Sequence, residues 1–132
     1  MNPIDKLAWI HVQDRKVLFV RSHKSDVPYC PGGKREEGES DHQALMREIQ
    51  EEISVQLVED TIEYFETFTA QAHGKPEGVM VQIKSFTADF IGTLSPSNEI
   101  AEMQWVDGQD LPRLSKPGKL IIASLQAKNL ID

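Results

Sequence analysis

A chain of 132 residues is the size of one ordinary domain, large enough for a hydrophobic core and too small for two. Its 39% apolar and 27% charged content is that of a globular chain, and no window approaches the roughly 18 consecutive apolar residues of a membrane span. The net charge of −7, from 21 acidic and 14 basic side chains, disfavours binding to a nucleic-acid backbone, and the basic residues are scattered singly rather than set in a stripe; a phosphorylated ligand bridged by a divalent cation stays open. The single cysteine, Cys30, excludes an internal disulfide, and the N-terminus lacks the basic segment and apolar run of a secretory signal. Cytoplasmic residence is therefore expected.

Residues Leu7–Ser22 alternate apolar and polar positions on both sides of Asp14-Arg15, which predicts a hairpin of two strands turning there. Ala8, Ile10 and Val12 mark one face before the turn, and Leu18 and Val20 follow after it. Ser22–Glu39 is rich in proline, glycine and charge and reads as one long loop, a place where function concentrates. Ser40 with Gln43 three residues on is a capping box opening a helix, on which Leu45, Met46, Ile49 and Ile53 form an apolar stripe. Thr61–Ala72 and Val79–Gly92 are rich in β-branched and aromatic residues and flank the polar turn His73–Gly78, which predicts two antiparallel strands. A short strand over Ile100–Asp107 and a helix over Lys116–Ile131 complete the order ββ, loop, α, βββ, α. That order predicts an α+β fold, a mixed sheet covered by helices on two sides, in a single domain over 1–132.

The helix carries three carboxylates in REIQEEISV, residues 47–55. Glu48, Glu51 and Glu52 stand at i, i+3 and i+4, so they share a face, and that face lies beside the apolar stripe rather than opposite it. Like charges one turn apart weaken a helix, and a shared hard cation such as Mg²⁺, Mn²⁺ or Ca²⁺ would relieve the repulsion. Taken alone the pattern is also that of a charged, solvated helix surface. The upstream Pro31–Gly33 adds a rigid entry and two positions where backbone can approach another group closely.

Counted from Gly33, five residues lead to Glu39, seven more to Arg47, and then come Glu48, Ile49, Gln50, Glu51, Glu52, Ile53, Ser54 and Val55. This resembles the signature of the Nudix hydrolases, Gly-x5-Glu-x7-Arg-Glu-apolar-x-Glu-Glu-x-Gly-apolar, with eight of nine specified positions matched over 23 residues. The departure is Ser54, where the family has a glycine that lets the helix end in a left-handed turn; strain of about 1 kcal/mol is expected there.

The resemblance implies an α/β/α sandwich that hydrolyses a nucleoside diphosphate linked to another moiety, with Mg²⁺ or alternatively Mn²⁺ as cofactor. It implies metal binding by Glu48, Glu51 and Glu52, a shell completed by the carbonyl of Gly32, and a bracing pair, Glu39 and Arg47. MutT-like members use one more glutamate, six residues before a strand tryptophan. Glu99 stands six before Trp105 and is the candidate here, with Glu102 as runner-up. Glu48 is a ligand or the general base. Tyr29, Gly33, Lys34 and His73 are candidates for contacting substrate, each with a structural alternative: a rim aromatic, a turn glycine, or an exposed charge. Arg35 is read with Lys34, either meeting phosphate or offsetting Glu36 and Glu37. Cys30, Trp9 and Trp105 read as packing residues. The expected partner is a small nucleotide, most simply a nucleoside triphosphate or modified nucleotide, with neither nucleic acid nor membrane, and a homodimer is compatible because some relatives dimerise. The alternative is a non-catalytic nucleotide-binding or regulatory module on the same fold.

Overall fold

The computed structural model describes residues 2–132. In chain order the strands and helices are β1 (Ile4–Trp9), β2 (Val12–Gln13), β3 (Lys16–Ser22), β4 (Gly32–Lys34), α1 (Asp41–Ile53), β5 (Gln56–Leu57), β6 (Glu63–Gln71), β7 (Met80–Thr87), β8 (Phe90–Ile91), β9 (Ile100–Val106) and α2 (Lys116–Ala127), with short 3₁₀ turns before β6 and α2. The mixed sheet is four-stranded, in the order β4-β1-β7-β6, with β1 parallel to β7 and antiparallel to β4. A second sheet, β2-β3-β9, is antiparallel.

The expected turn at Asp14-Arg15 is present, and both residues have positive φ (52° and 62°), the backbone twist that suits a two-residue hairpin. The strands it joins are β2 and β3, however, while β1 leaves to pair with β4 and β7. The single-hairpin expectation for Leu7–Ser22 is therefore corrected. The cause is visible in burial: both faces of β1 and β3 are covered, so alternation marks two cores rather than inside and outside. Leu7, Trp9, Leu18 and Val20 pack with Ala44, Leu45, Ile49 and Ile53 of α1. Ala8, Ile10, Val17 and Phe19 pack with Ile121, Ile122 and Leu125 of α2. The two helices thus cover opposite faces of the strand layer.

The loop reading of Ser22–Glu39 also needs correction, because Gly32–Lys34 forms β4 at the edge of the mixed sheet. Gly32 has φ 144°, and a side chain there would strike the backbone of Leu7. That close approach is what lays the loop against β1 and carries it past α1. The α1 N-terminus is built as expected: Ser40 Oγ accepts the Gln43 N–H at 3.2 Å, and Gln43 Oε1 accepts the Ser40 N–H at 2.9 Å.

Candidate active site

Arg47 is the organiser of the loop–helix junction. Its guanidinium donates to both oxygens of Glu39 at 2.8 Å, to the Lys34 carbonyl at 3.1 Å and to Glu48 at 3.0 Å, with Glu51 at 3.4 Å. The planar fork suits this two-oxygen grip, which an ammonium could not reproduce. The Arg47 hydrogen bonds and the Glu36 N–H hold the Glu39 carboxyl down at about 2. Glu39 and Arg47 therefore stand where a brace between loop and helix must stand.

The three helix acids have graded environments. Glu52 is 2% exposed; its carboxylate accepts the Gly32 N–H at 2.8 Å and the Tyr29 hydroxyl at 3.2 Å. Burial pushes its pKa up to about 8, with the Glu48 and Glu99 charges adding to the rise. Glu48 lies against Gly33, where a side chain would overlap its carboxylate, and burial raises it too. Glu51 faces solvent and meets Arg47. Because Arg47 takes Glu48 and Glu51 while Gly32 and Tyr29 take Glu52, no three acidic, histidine or cysteine side chains among the described residues converge as a ready-made cation cage. Glu99 is exposed at the mouth of β9, and its charge raises both Glu48 and Glu52. Glu102 is committed elsewhere, accepting from Arg21 at 2.9 Å.

A NUDIX domain family model matches residues 4–125. The chain belongs to the Nudix hydrolase family. Among curated sequences it is 31% identical over 123 residues to the NAD-capped RNA hydrolase NudC of Vibrio atlanticus, covering 90% of this chain and 42% of that protein. It is 30% identical over 104 residues to the Nudix hydrolase YvcI of Bacillus subtilis, covering 76% of this chain and 64% of that protein. The chain thus spans less than two thirds of both relatives. Among solved structures, the ORF135 protein of Escherichia coli superposes with a TM-score of 0.70 at 27% identity, over 100% of this chain and 96% of that one. A MutT Nudix hydrolase from Burkholderia pseudomallei gives 0.69 at 19% identity, over 94% and 95%; at that identity the likeness concerns the fold.

Next to the Nudix box lies a cavity of about 390 Å³ that shares Tyr29, Gly32 and Gly33 with the carboxylate site. Its walls include Val27, Val81 and Ile83, with Lys34 and His73 on the lining, so the four substrate-contact candidates border one space. Two lysines the sequence reading did not single out, Lys6 and Lys75, line it as well, and no acid does. Lys6 carried a readable signal: it is the one basic residue of β1 and stands on the same face as Ala8, directly before the buried stretch. Arg35 does not meet this space; it pairs with Asp5 at 3.0 Å and Asp41 at 2.7 Å, not with Glu36 or Glu37. Cys30 is buried, its S–H donating to the Trp9 carbonyl at 3.1 Å, and burial pushes the thiol pKa up. Trp9 is fully buried, whereas Trp105 is 38% exposed.

Ser54 resolves differently from the expectation of simple strain. It takes the left-handed C-cap conformation that the family glycine serves, with φ 68° and ψ 16°, at a conformational cost of about 1 kcal/mol. Its hydroxyl then donates to the Ser95 carbonyl at 2.9 Å, a bond worth about 1 kcal/mol that glycine cannot make. The two effects offset each other.

Proposed function

We propose that this chain, one Nudix unit over 1–132, hydrolyses a pyrophosphate bond in a nucleoside diphosphate derivative with Mg²⁺ or Mn²⁺ as cofactor. A nucleoside triphosphate or modified nucleotide is the substrate class. The observation that carries this reading is Glu52: a carboxylate almost wholly removed from water, disfavoured in its charged form, with Glu48 and Glu99 adding negative charge nearby. Such a cluster is costly unless a cation joins it.

The donor set fits a hard divalent ion, because every group is oxygen and the buried acids supply the charge it needs. Glu51 and Glu52 are the principal ligands, Glu99 adds a fourth carboxylate beside Glu48, and the Gly32 carbonyl completes the shell. When bound, the ion neutralises phosphate charge and acidifies water. Glu48 is a further ligand or the general base that takes the proton from water. Arg47 and Glu39 hold the loop against the helix. Tyr29 walls the cavity that receives the nucleoside, while Gly33, Lys34 and His73 face the ligand.

The complete set of acidic positions supports an enzyme over a non-catalytic module. The cytoplasm is the compartment we assign, supported by a free, buried Cys30. The test is a panel of nucleoside triphosphates, oxidised nucleotides, dinucleotides and nucleoside diphosphate conjugates with Mg²⁺, read by released phosphate or pyrophosphate. Turnover of one or more members supports the reading. Nucleotide binding without turnover of any member would leave the regulatory module in its place.

A further inference from the structure

The last helical bond of α1 closes at Ser54, and the three carbonyls beyond it, those of Glu51, Glu52 and Ile53, all find donors in one distant segment. Gln50 accepts from the Ser54 N–H at 3.1 Å. Ile53 accepts from the Ser95 N–H at 3.0 Å, and Glu52 from the Ser97 N–H at 2.9 Å. Glu51 accepts twice, from the Ser97 hydroxyl at 2.5 Å and the Asn98 side-chain amide at 2.8 Å. The Ser54 hydroxyl closes the arrangement on the Ser95 carbonyl and lies 3.4 Å from the Ser97 hydroxyl. Helix ends need such partners, but they are usually supplied by residues just past the helix, not by a segment more than 40 residues later in the chain.

The segment leads directly to Glu99. Asn98 adopts φ 53°, the Ile100 N–H closes a turn on the Ser97 carbonyl at 3.0 Å, and the Glu99 carbonyl accepts the His23 N–H at 2.9 Å. Ile100 is buried with the α1 core, which fixes the far side of the turn. The backbone of Glu99 is therefore fastened from both sides, and on one side the fastening points are the main-chain carbonyls of Glu51 and Glu52 themselves.

We propose that Ser54, Ser97 and Asn98 are positioning residues that set the span between Glu99 and the helix acids, so that the fourth carboxylate is delivered to the metal site by a clamp on the end of α1. The proposal rests on the reading of Glu48, Glu51, Glu52 and Glu99 as a divalent-cation site. On it, Ser54 is a working replacement for the family glycine, exchanging backbone freedom for a bond to the clamp.

The test is Mn²⁺ binding to the purified protein by electron paramagnetic resonance, with the Mg²⁺ concentration for half-maximal turnover as a second readout. Asn98→Gly still permits the left-handed backbone and removes the side chain that carries the amide; Ser54→Gly restores the family residue and removes the hydroxymethyl group. Each should weaken Mn²⁺ binding, Asn98→Gly by about tenfold, the low end of what loss of a supporting partner costs a metal site. In a Glu99→Gln background Asn98→Gly should add nothing, because the carboxylate it positions is gone. A merely structural clamp would lower the melting temperature and leave Mn²⁺ affinity unchanged, or would weaken it equally with and without Glu99; either result overturns the proposal. Wild-type protein that binds no Mn²⁺ would overturn the metal-site reading and the clamp with it, whereas a wild type that binds Mn²⁺ beside an indifferent Asn98→Gly sinks the clamp alone.

Discussion

Glu52→Gln should make the metal-free protein more stable while removing its activity. Burial raises the Glu52 pKa from the ordinary 4.5 to about 8. At pH 7 the unfolded chain carries this carboxylate ionised, and folding must protonate it. The gap between 4.5 and 7 is about 2.5 units, so the cost is about 3 kcal/mol at 1.36 kcal/mol per unit. A raised carboxylate pKa means that its contribution is intact below pH 4.5 and is lost as pH rises from there towards 8. Glutamine is neutral throughout and nearly the same shape. Its oxygen can accept the Gly32 N–H, and its amide can donate to the Tyr29 hydroxyl, so neither partner is orphaned. For a domain of this size, about 3 kcal/mol corresponds to roughly 10 °C in melting temperature. The assay is thermal unfolding of both proteins in excess chelator at pH 7 and at pH 4.5. The variant should melt about 10 °C higher at pH 7, and the gap should close at pH 4.5. A variant that melts at or below wild type at pH 7, or an advantage that persists unchanged at pH 4.5, would refute the electrostatic account of this residue.

Other substitutions test other parts of the site. Glu51→Gln lies on the exposed side of the helix and should abolish hydrolysis with a melting temperature within about 2 °C of wild type, measured by turnover and thermal unfolding in parallel. Arg47→Lys loses the two-oxygen grip on Glu39 and the bond to the Lys34 carbonyl, and should cost about 2 kcal/mol in urea unfolding together with most of the activity. Lys6→Met removes an ammonium that lines the cavity beside Tyr29 and Gly33; KM should rise about tenfold with kcat little changed, read by steady-state kinetics on the preferred substrate.

Much of this site was legible because its signal is local. The capping box at Ser40 and Gln43, the apolar stripe of α1 and the turn at Asp14-Arg15 depend on residues within a few positions of one another, and each is present. The Nudix box places Glu39 and Arg47 eight residues apart, and the structure joins them. Other features were hidden for physical reasons. β4 consists of two glycines and a lysine, with no strand propensity; it exists because Gly32 alone can lie on the backbone of Leu7. The alternation in β1 and β3 was visible, but single-face reasoning cannot tell a half-buried strand from one covered by a helix on each side. The unequal fates of the acids also escaped the pattern. At i, i+3 and i+4 they look equivalent, yet Glu52 is buried and Glu51 is not, because Gly32 and Tyr29 close over one and Arg47 meets the other. The contacts of Ser54 with Ser95 and Ser97 cross about 40 residues of chain and have no sequence signature at all.

The most direct test of the central claim, that these carboxylates form a divalent-cation site for pyrophosphate hydrolysis, is a Mg²⁺ titration of turnover after exhaustive chelation. The substrate is the best one found in the nucleotide panel, and wild type is compared with Glu52→Gln. The account predicts no turnover in chelator, saturable recovery with added Mg²⁺ in the wild type, and no recovery in the variant. Full turnover in chelator, or recovery in Glu52→Gln equal to that of the wild type, would contradict it.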